Sequence, residues 1–341
     1  MNILVTGGAG YIGSHTANRL KEKGYTPIIY DNLSTGHRWA AKNCELVIGD
    51  VRDKEALLDV FSKHDIKGVI HFAASSLVGE SVSNPSKYYD NNVIGSKCLL
   101  DSMIYKGIDN IVFSSTCATY GIPEAVPISE EEKQKPINTY GWTKLMIERI
   151  LEDYGRAYGL SSIALRYFNA AGAGVKIGLG EAHTPETHVI PLLLQTVMGQ
   201  REEFSLFGDN YDTFDGSCIR DYIHVEDLAE AHVLAMDRLL ARNVENNSVR
   251  NSDTKRGSFQ YFNLGTGKGV SVLELIREVE AVTNEKVNFT VCPKREGDPP
   301  ILIADNSKAV KELGWKPIKS GIENIVSTAY EWAKAYMEKS V

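Results

Sequence analysis

An α/β fold, a doubly wound parallel sheet followed by a smaller α/β region, is predicted by three observations. Short runs of nearly continuous apolar character alternate with stretches of helical periodicity through the first half of the 341-residue chain. A glycine-rich turn, TGGAGYIG, leads from the first apolar run into the first helical stretch. After about Gly174 the rhythm breaks into Gly- and Pro-punctuated segments such as GAGVKIGLGEAHTPETH, which read as loops and short elements.

Strands are expected at Ile3 to Thr6, Ile28 to Tyr30, Glu45 to Ile48, Val69 to Phe72, Ile111 to Ser114 and Ile163 to Tyr167. Their apolar character is that of parallel strands covered on both faces. Crossover helices are expected over Tyr11 to Lys23, Asp53 to His64, Tyr88 to Tyr105 and Tyr140 to Tyr158. Residues 1–175 thus form a first domain and 176–341 mainly a second. Tyr222 to Val225 and Tyr261 to Leu264 keep strand character and are expected to return to the first sheet. Ala241 to Ser258, polar and without an aromatic residue, reads as a solvated excursion. Gly321 to Lys339 has the period of an amphipathic helix, with Ser320 and Glu323 as its capping box.

A formal net charge of −7 gives no basic field for a nucleic-acid backbone. The five cysteines are odd in number, widely spaced and without a CxxC or a Cys/His pattern of zinc type. A reducing cytoplasm suits them, and no metal ligand set is expected. The opening MNILVTGGAGYIG reads as strand and turn, so no leader is expected, and no apolar run approaches the ~18 residues of a membrane span.

Gly7, Gly10 and Gly13 stand where the backbone must approach a ligand, and amides at the N-terminus of the following helix suit a pyrophosphate. Asp31 ends the second strand, where a carboxylate accepts hydrogen bonds from ribose hydroxyls and repels a ribose phosphate, which favours NAD over NADP. Asp50 and Val51 end the third strand and either bracket an adenine or simply form a turn. Ser114 to Thr116 lie at the carboxyl end of a buried strand, where ligands bind in such folds. Tyr140 and Lys144, four residues apart, share a helix face. A cation beside a phenol favours the phenolate, so this tyrosine is expected to act as acid and base toward an alcohol. Tyr330 and Lys334 repeat the spacing, but on a packing helix with no strand end before it.

TGGAGYIGSHT, Asp31-Asn32, HFAA, YYDNN, FSSTCATYG, YGWTK, RYFN, RDYIHV and REGD occur in this order from the first residue to about Lys311. In these segments the chain resembles the extended short-chain dehydrogenase/reductases, and most closely their UDP-glucose/UDP-galactose 4-epimerases. The resemblance implies a Rossmann-type first domain, bound NAD, a UDP-sugar substrate and a homodimer. Tyr140 would be the base toward the sugar 4-hydroxyl, Lys144 its support and the holder of the nicotinamide ribose, and Thr116 its hydroxyl partner. The cofactor would also meet Tyr11, Ile12, Asn32, Phe72, Ala73, Ala74, Asn91, Ser114 and Tyr167. Nucleotide-sugar positions would be Asn169, His188, Phe207, Arg220, Arg295, Asp298 and Leu302.

Each arginine has a plainer reading, Arg220 as a surface pair with Asp221 and Arg295 with Glu296, and Phe207 as a core aromatic. His71, in an apolar strand, is expected to be a satisfied core histidine. The chain departs from the resemblance in Thr116 for a serine, Ser76 for a lysine, His188 for an asparagine and Leu302 for a tyrosine that limits sugar size. Leucine, intermediate in size, leaves 2-acetamido sugars as an alternative substrate. Cys117 and Ala118 stand where a dehydratase of this group has Asp-Glu, which argues against elimination. A non-catalytic nucleotide sensor would not be expected to keep Tyr140, Lys144 and Thr116 together.

Overall fold

A computed structural model of the chain describes residues 1–248 (the backbone alone over 242–248), 257–295 and 298–338. In chain order the first half runs β1 Asn2–Thr6, α1 Tyr11–Glu22, β2 Thr26–Asp31, β3 Glu45–Ile48, α2 Lys54–Lys63 and β4 Ile66–His71. Next come the short α3 Val78–Ser83 and α4 Pro85–Tyr88, then α5 Gly95–Lys106, β5 Asn110–Thr116, α6 Thr139–Tyr158 and β6 Ser161–Tyr167. The later elements are β7 Asn169–Ala171, α7 Val189–Val197, β8 Phe204–Phe207, β9 Ile219–Arg220, β10 Tyr222–His224, α8 Val225–Ser248 and β11 Phe259–Leu264. They end with β12 Val270–Ser271, α9 Val272–Thr283, β13 Phe289–Cys292, β14 Ile301–Leu302, α10 Ser307–Leu313 and α11 Ile322–Glu338. None of the described helices is long and apolar enough to cross a membrane.

Seven parallel strands form the main sheet in the order β11-β6-β5-β4-β1-β2-β3. The chain winds outward from β1 in one direction through β2 and β3, and in the other from β4, so a crevice opens at the carboxyl ends of β1 and β4. Alternate strand residues face opposite layers. Ile3 and Val5 pack with α1, α8 and α10, whereas Leu4 packs with α2 and α5 on the other side. All seven residues of β5 are buried, and burial of each aliphatic side chain contributes about 1.5–3 kcal/mol. A third apolar cluster joins α7, β8, α9 and α11.

Several expectations need correction. Tyr222 to His224 does not enter the seven-stranded sheet; it pairs in parallel with Asn169–Ala171. The edge beside β6 is already taken by β11, and Phe168 N donates to Leu264 O at 3.2 Å as the chain leaves that sheet. The helix expected from Tyr88 is interrupted by a π-helical stretch over Tyr89–Ile94, which directs Asn92 inward to Ser75 and Thr143. The excursion expected at Ala241 begins instead as the last turns of α8, which reaches Ser248; positions 249–256 lie outside the described residues. Ser320 forms no capping box, because its hydroxyl donates to Asp227 Oδ2 at 2.6 Å and accepts from His224 N at 2.9 Å.

Candidate active site

The glycine turn forms a cradle that side chains would fill. A Cβ on Gly13 would sit 2.3 Å from Gly7 O, and one on Gly7, at φ +70°, would sit 2.6 Å from Ala73 N. Gly10 is the N-cap of α1 and supplies no side-chain cap, which leaves the first-turn amides at Tyr11 and Ile12 for an anion. Phe72, Ala73 and Ala74 continue from β4 along the floor of this turn, Phe72 N and Ala73 N both donating to Thr6 O. Asp31 accepts from Ala9 N at 2.9 Å and Leu33 N at 2.8 Å, so its carboxylate is fixed at the strand end. Burial raises its pKa, opposed by those two amides. These features fit a dinucleotide with its pyrophosphate on α1 and a ribose at Asp31.

Asp50 is claimed by neighbours. Arg52 grips it through Nε and Nη2 at 2.9 and 2.8 Å, and Asn32 Nδ2 donates at 3.0 Å, holding its carboxyl well below the usual range. The side chain of Val51 is buried in the α2/α5 core. Asn91, in the π-helical stretch, donates to Asn92 Oδ1 at 3.0 Å. His71 is a satisfied core histidine, with Thr6 Oγ1 at 2.6 Å and Ser96 Oγ at 2.8 Å.

Asn138 caps α6 by accepting from Gly141 N at 2.8 Å, and the helix then brings Tyr140 and Lys144 beneath the end of β5. Lys144 is 2 % exposed; its Nζ donates to Ser114 O at 2.7 Å and lies 4.9 Å from the Phe113 ring centre. Burial lowers its pKa to about 7, against the pull of Glu148. The expectation that Lys144 lowers the Tyr140 pKa does not hold in this arrangement. Burial and the nearby Tyr167 raise the phenol, while the Thr116 hydroxyl, its hydrogen-bond partner, opposes. The reason is geometric: Nζ is 5.8 Å from the Tyr140 ring centre and committed to the Ser114 carbonyl. Ser114 Oγ and the Tyr167 hydroxyl are hydrogen-bonded partners beside this group. Thr116 Oγ1 accepts from Ala118 N at 3.1 Å. Tyr330 and Lys334, with the same spacing, instead form a contact on α11, Lys334 being exposed.

At the other end of the crevice both arginines meet Asp298. Arg220 Nη2 donates to its Oδ1 at 2.6 Å and Arg295 Nη2 to its Oδ2 at 3.0 Å. Arg220 therefore does not pair with Asp221, which is fully buried and accepts from the amides of Thr266, Gly267 and Ala304. Glu296 lies outside the described residues. Phe207 is not a core aromatic either; it is 41 % exposed, with the Arg295 guanidinium 5.0 Å over its ring. A flat ring and two guanidiniums of this kind suit a base and a diphosphate. Asn169 N donates to Asp221 O at 3.0 Å, placing that residue at the start of β7. Leu302 pairs with Arg220 across β14 and β9 and packs against the cluster of Tyr120, Ile128, Phe168 and Ala304, with Cys117 beside it.

His188 does not join this group. It is the N-cap of α7, and its Nδ1 lies 2.8 Å from Glu181 Oε1 and 3.1 Å from Glu186 Oε1. Burial opposes its charge, but the two carboxylates outweigh that and push its pKa up to about 10. Sequence reasoning also missed Glu148. It is 1 % exposed and accepts from Arg166 Nε and Nη2 at 2.9 and 2.6 Å, from Ser115 Oγ at 2.5 Å and from Gln134 Nε2 at 3.0 Å. The signal was present: Tyr140, Lys144 and Glu148 continue a four-residue spacing, which puts a carboxylate on the buried stripe of α6.

The family model described as the NAD dependent epimerase/dehydratase family matches residues 3–247. Over 331 residues the chain is 50 % identical to a UDP-glucose 4-epimerase of Rhizobium meliloti, covering 97 % of this chain and 96 % of that one. It is similar to the crystal structure of a UDP-glucose 4-epimerase from Brucella ovis in complex with NAD, with TM-score 0.90 and 47 % identity over 96 % of this chain and 97 % of that one. It is also similar to a Bifidobacterium longum UDP-glucose 4-epimerase in complex with NAD+ and UDP, with TM-score 0.89 and 36 % identity over 98 % of each chain.

Proposed function

The chain belongs to the NAD dependent epimerase/dehydratase family, and we propose that it interconverts UDP-glucose and UDP-galactose by reversing the configuration at sugar carbon 4. It is an NAD-dependent isomerase. The observation that carries the site assignment is the convergence of Tyr140, Lys144 and Thr116 at the carboxyl end of β5, opposite the glycine cradle.

When bound in the glycine cradle, NAD would supply a reversible hydride acceptor for sugar carbon 4. Tyr140 removes the 4-hydroxyl proton and gives it back, and Thr116, its hydrogen-bond partner, steadies the phenolate. Lys144, fixed on the Ser114 carbonyl, holds positive charge at the base of this pair. Ser114 and Tyr167 line the same wall. Gly7, Gly10, Tyr11, Ile12 and Gly13 cradle the pyrophosphate, Asp31 and Asn32 meet the adenosine ribose, and Asp50, Val51, Phe72, Ala73, Ala74 and Asn91 complete the cofactor groove.

Arg220, Arg295 and Asp298 hold the UDP portion with Phe207 against uracil, while Asn169 and Leu302 border the sugar. A firm grip on the nucleotide lets the sugar rotate without escape. The resemblance to proteins named UDP-glucose 4-epimerases favours the plain hexose pair over the N-acetylated one. Cofactor binding belongs mainly to residues 1–175 and nucleotide-sugar binding mainly to 176–341. Exposed Ile94, Tyr105, Trp142 and Met146 on and before α5 and on α6 support a homodimer through these helices. Five unpaired cysteines accord with a cytoplasmic enzyme of galactose metabolism. Incubating the purified chain with UDP-galactose, without added NAD, should yield UDP-glucose; no product, even with NAD supplied, refutes the assignment.

A further inference from the structure

Four side chains that the epimerase chemistry leaves largely unexplained meet in the loop before α7. Glu181, His183, Glu186 and His188 offer ligand atoms that all lie within 4.8 Å of one another. His188 Nδ1 is 2.8 Å from Glu181 Oε1 and 3.1 Å from Glu186 Oε1, and His183 Nδ1 is 3.2 Å from Glu181 Oε1 and 3.7 Å from Glu186 Oε2. Ligands about 2.0–2.2 Å from a tetrahedral ion stand about 3.3–3.6 Å apart. The observed separations bracket that spacing, so small side-chain movements would bring the four atoms around one ion.

Two further features point to a ligand. Nδ1 of His183 is buried and lacks a well-formed hydrogen bond, its neighbours being carboxylate oxygens of Glu181 at 3.2 Å and Glu186 at 3.7 Å. Both carboxylates are almost removed from water, their side chains 8 % and 6 % exposed, and the ion pairs they form among the described residues are with these two histidines. Carboxylates buried this far require nearby positive charge, which the ion supplies when it displaces the protons of the two imidazoles. A cavity of about 240 Å³ lined in part by Glu181, His183, Glu186, Gln195, Trp332 and Met337 gives a route to them.

We propose that Glu181, His183, Glu186 and His188 bind one divalent transition-metal ion of the zinc class. Two imidazole nitrogens with two carboxylate oxygens suit such an ion, whereas calcium and magnesium prefer oxygen donors alone. Four protein ligands close the coordination sphere, so the ion is structural and takes no part in hydride or proton transfer. It clips the loop between Glu181 and the N-cap of α7, beside Tyr11, whose ring centre is 6.3 Å from that of His183. That clip anchors the second domain against the helix that carries the glycine cradle. The set contains no cysteine, so spacings of zinc type between cysteines do not reveal it.

The full chain, stripped with a chelator and freed of it, is titrated with Zn²⁺ by calorimetry, and bound metal is counted by plasma mass spectrometry. One tightly held ion per chain is expected. His183→Ala and Glu181→Gln should each weaken it by more than about 100-fold, since losing even an outer partner of a ligand costs about 10–100-fold. Co²⁺ in place of Zn²⁺ should give a tetrahedral visible spectrum without thiolate charge transfer, which separates this site from the five cysteines. A stripped wild-type chain that takes up no stoichiometric ion overturns the proposal, as does binding unchanged in both variants. Should a variant fail to fold by circular dichroism, the wild-type titration and cobalt spectrum decide alone. None of these readouts uses turnover, so they stand or fall separately from the epimerase assignment.

Discussion

Glu148 carries a buried charge on α6 that is paired with Arg166, and Glu148→Gln tests its weight. The carboxylate and its partner Arg166 are 1 % and 3 % exposed in their side chains, and the pair shares two hydrogen bonds at 2.9 and 2.6 Å. Removing one charge strands a buried guanidinium, which costs about 3–5 kcal/mol. Ser115 and Gln134 also donate to this carboxylate, so the upper half of that range is expected. Urea unfolding should show a lower midpoint at unchanged slope. The double variant Glu148→Leu with Arg166→Met should recover much of the loss, because an apolar pair leaves no charge unpaired. Glu148 also favours the charged form of Lys144. Its removal should therefore move the alkaline limb of kcat to lower pH. Loss of less than about 1 kcal/mol, or a double variant at least as unstable as Glu148→Gln, would refute the buried-pair reasoning; an unmoved pH profile would refute the link to Lys144.

Three other outcomes follow from the same geometry. Tyr140→Phe should lower kcat by about 10²–10⁴-fold, the range for a lost acid/base, while NAD remains bound as judged by its absorbance in the purified protein. Gly13→Ala, whose new carbon would meet Gly7 O at 2.3 Å, should yield protein without retained cofactor, checked by the same absorbance. Lys144 has a folded pKa of about 7 against an ordinary 10.5, so the unfolded chain binds the extra proton between those values and stability rises with pH across that window. Replacement by Met should remove that rise from cofactor-free protein, measured by unfolding midpoints at pH 7 and 10.

Much of the candidate active site was readable because it is local. The glycine turn, the strand-end Thr116 and the four-residue step from Tyr140 to Lys144 each depend on neighbours in sequence, where helix and strand periodicity fix direction. Arg220, Arg295 and Asp298 were recognised by resemblance, but their sharing of one carboxylate was not legible, since adjacent Asp221 and Glu296 offered closer partners along the chain. Asp221 was unavailable as a partner because it serves three backbone amides from distant loops.

By itself, the sequence determined the doubly wound sheet, the places of its first six strands along the chain and the shared helix face of Tyr140 and Lys144, because apolar runs must be buried and glycine must line a tight turn. Only the tertiary structure decided which late strand enters that sheet. Phe259–Leu264 claims the edge beside β6, and Tyr222–His224 finds β7 instead. It alone set the protonation chemistry, too. Spacing placed Lys144 near Tyr140, but the Ser114 carbonyl determines where the ammonium points, and burial with the nearby Tyr167 raises the phenol. The same holds for Glu181, His183, Glu186 and His188: eight residues of loop show no periodic pattern, and folding against Tyr11 and α7 gathers their four side chains.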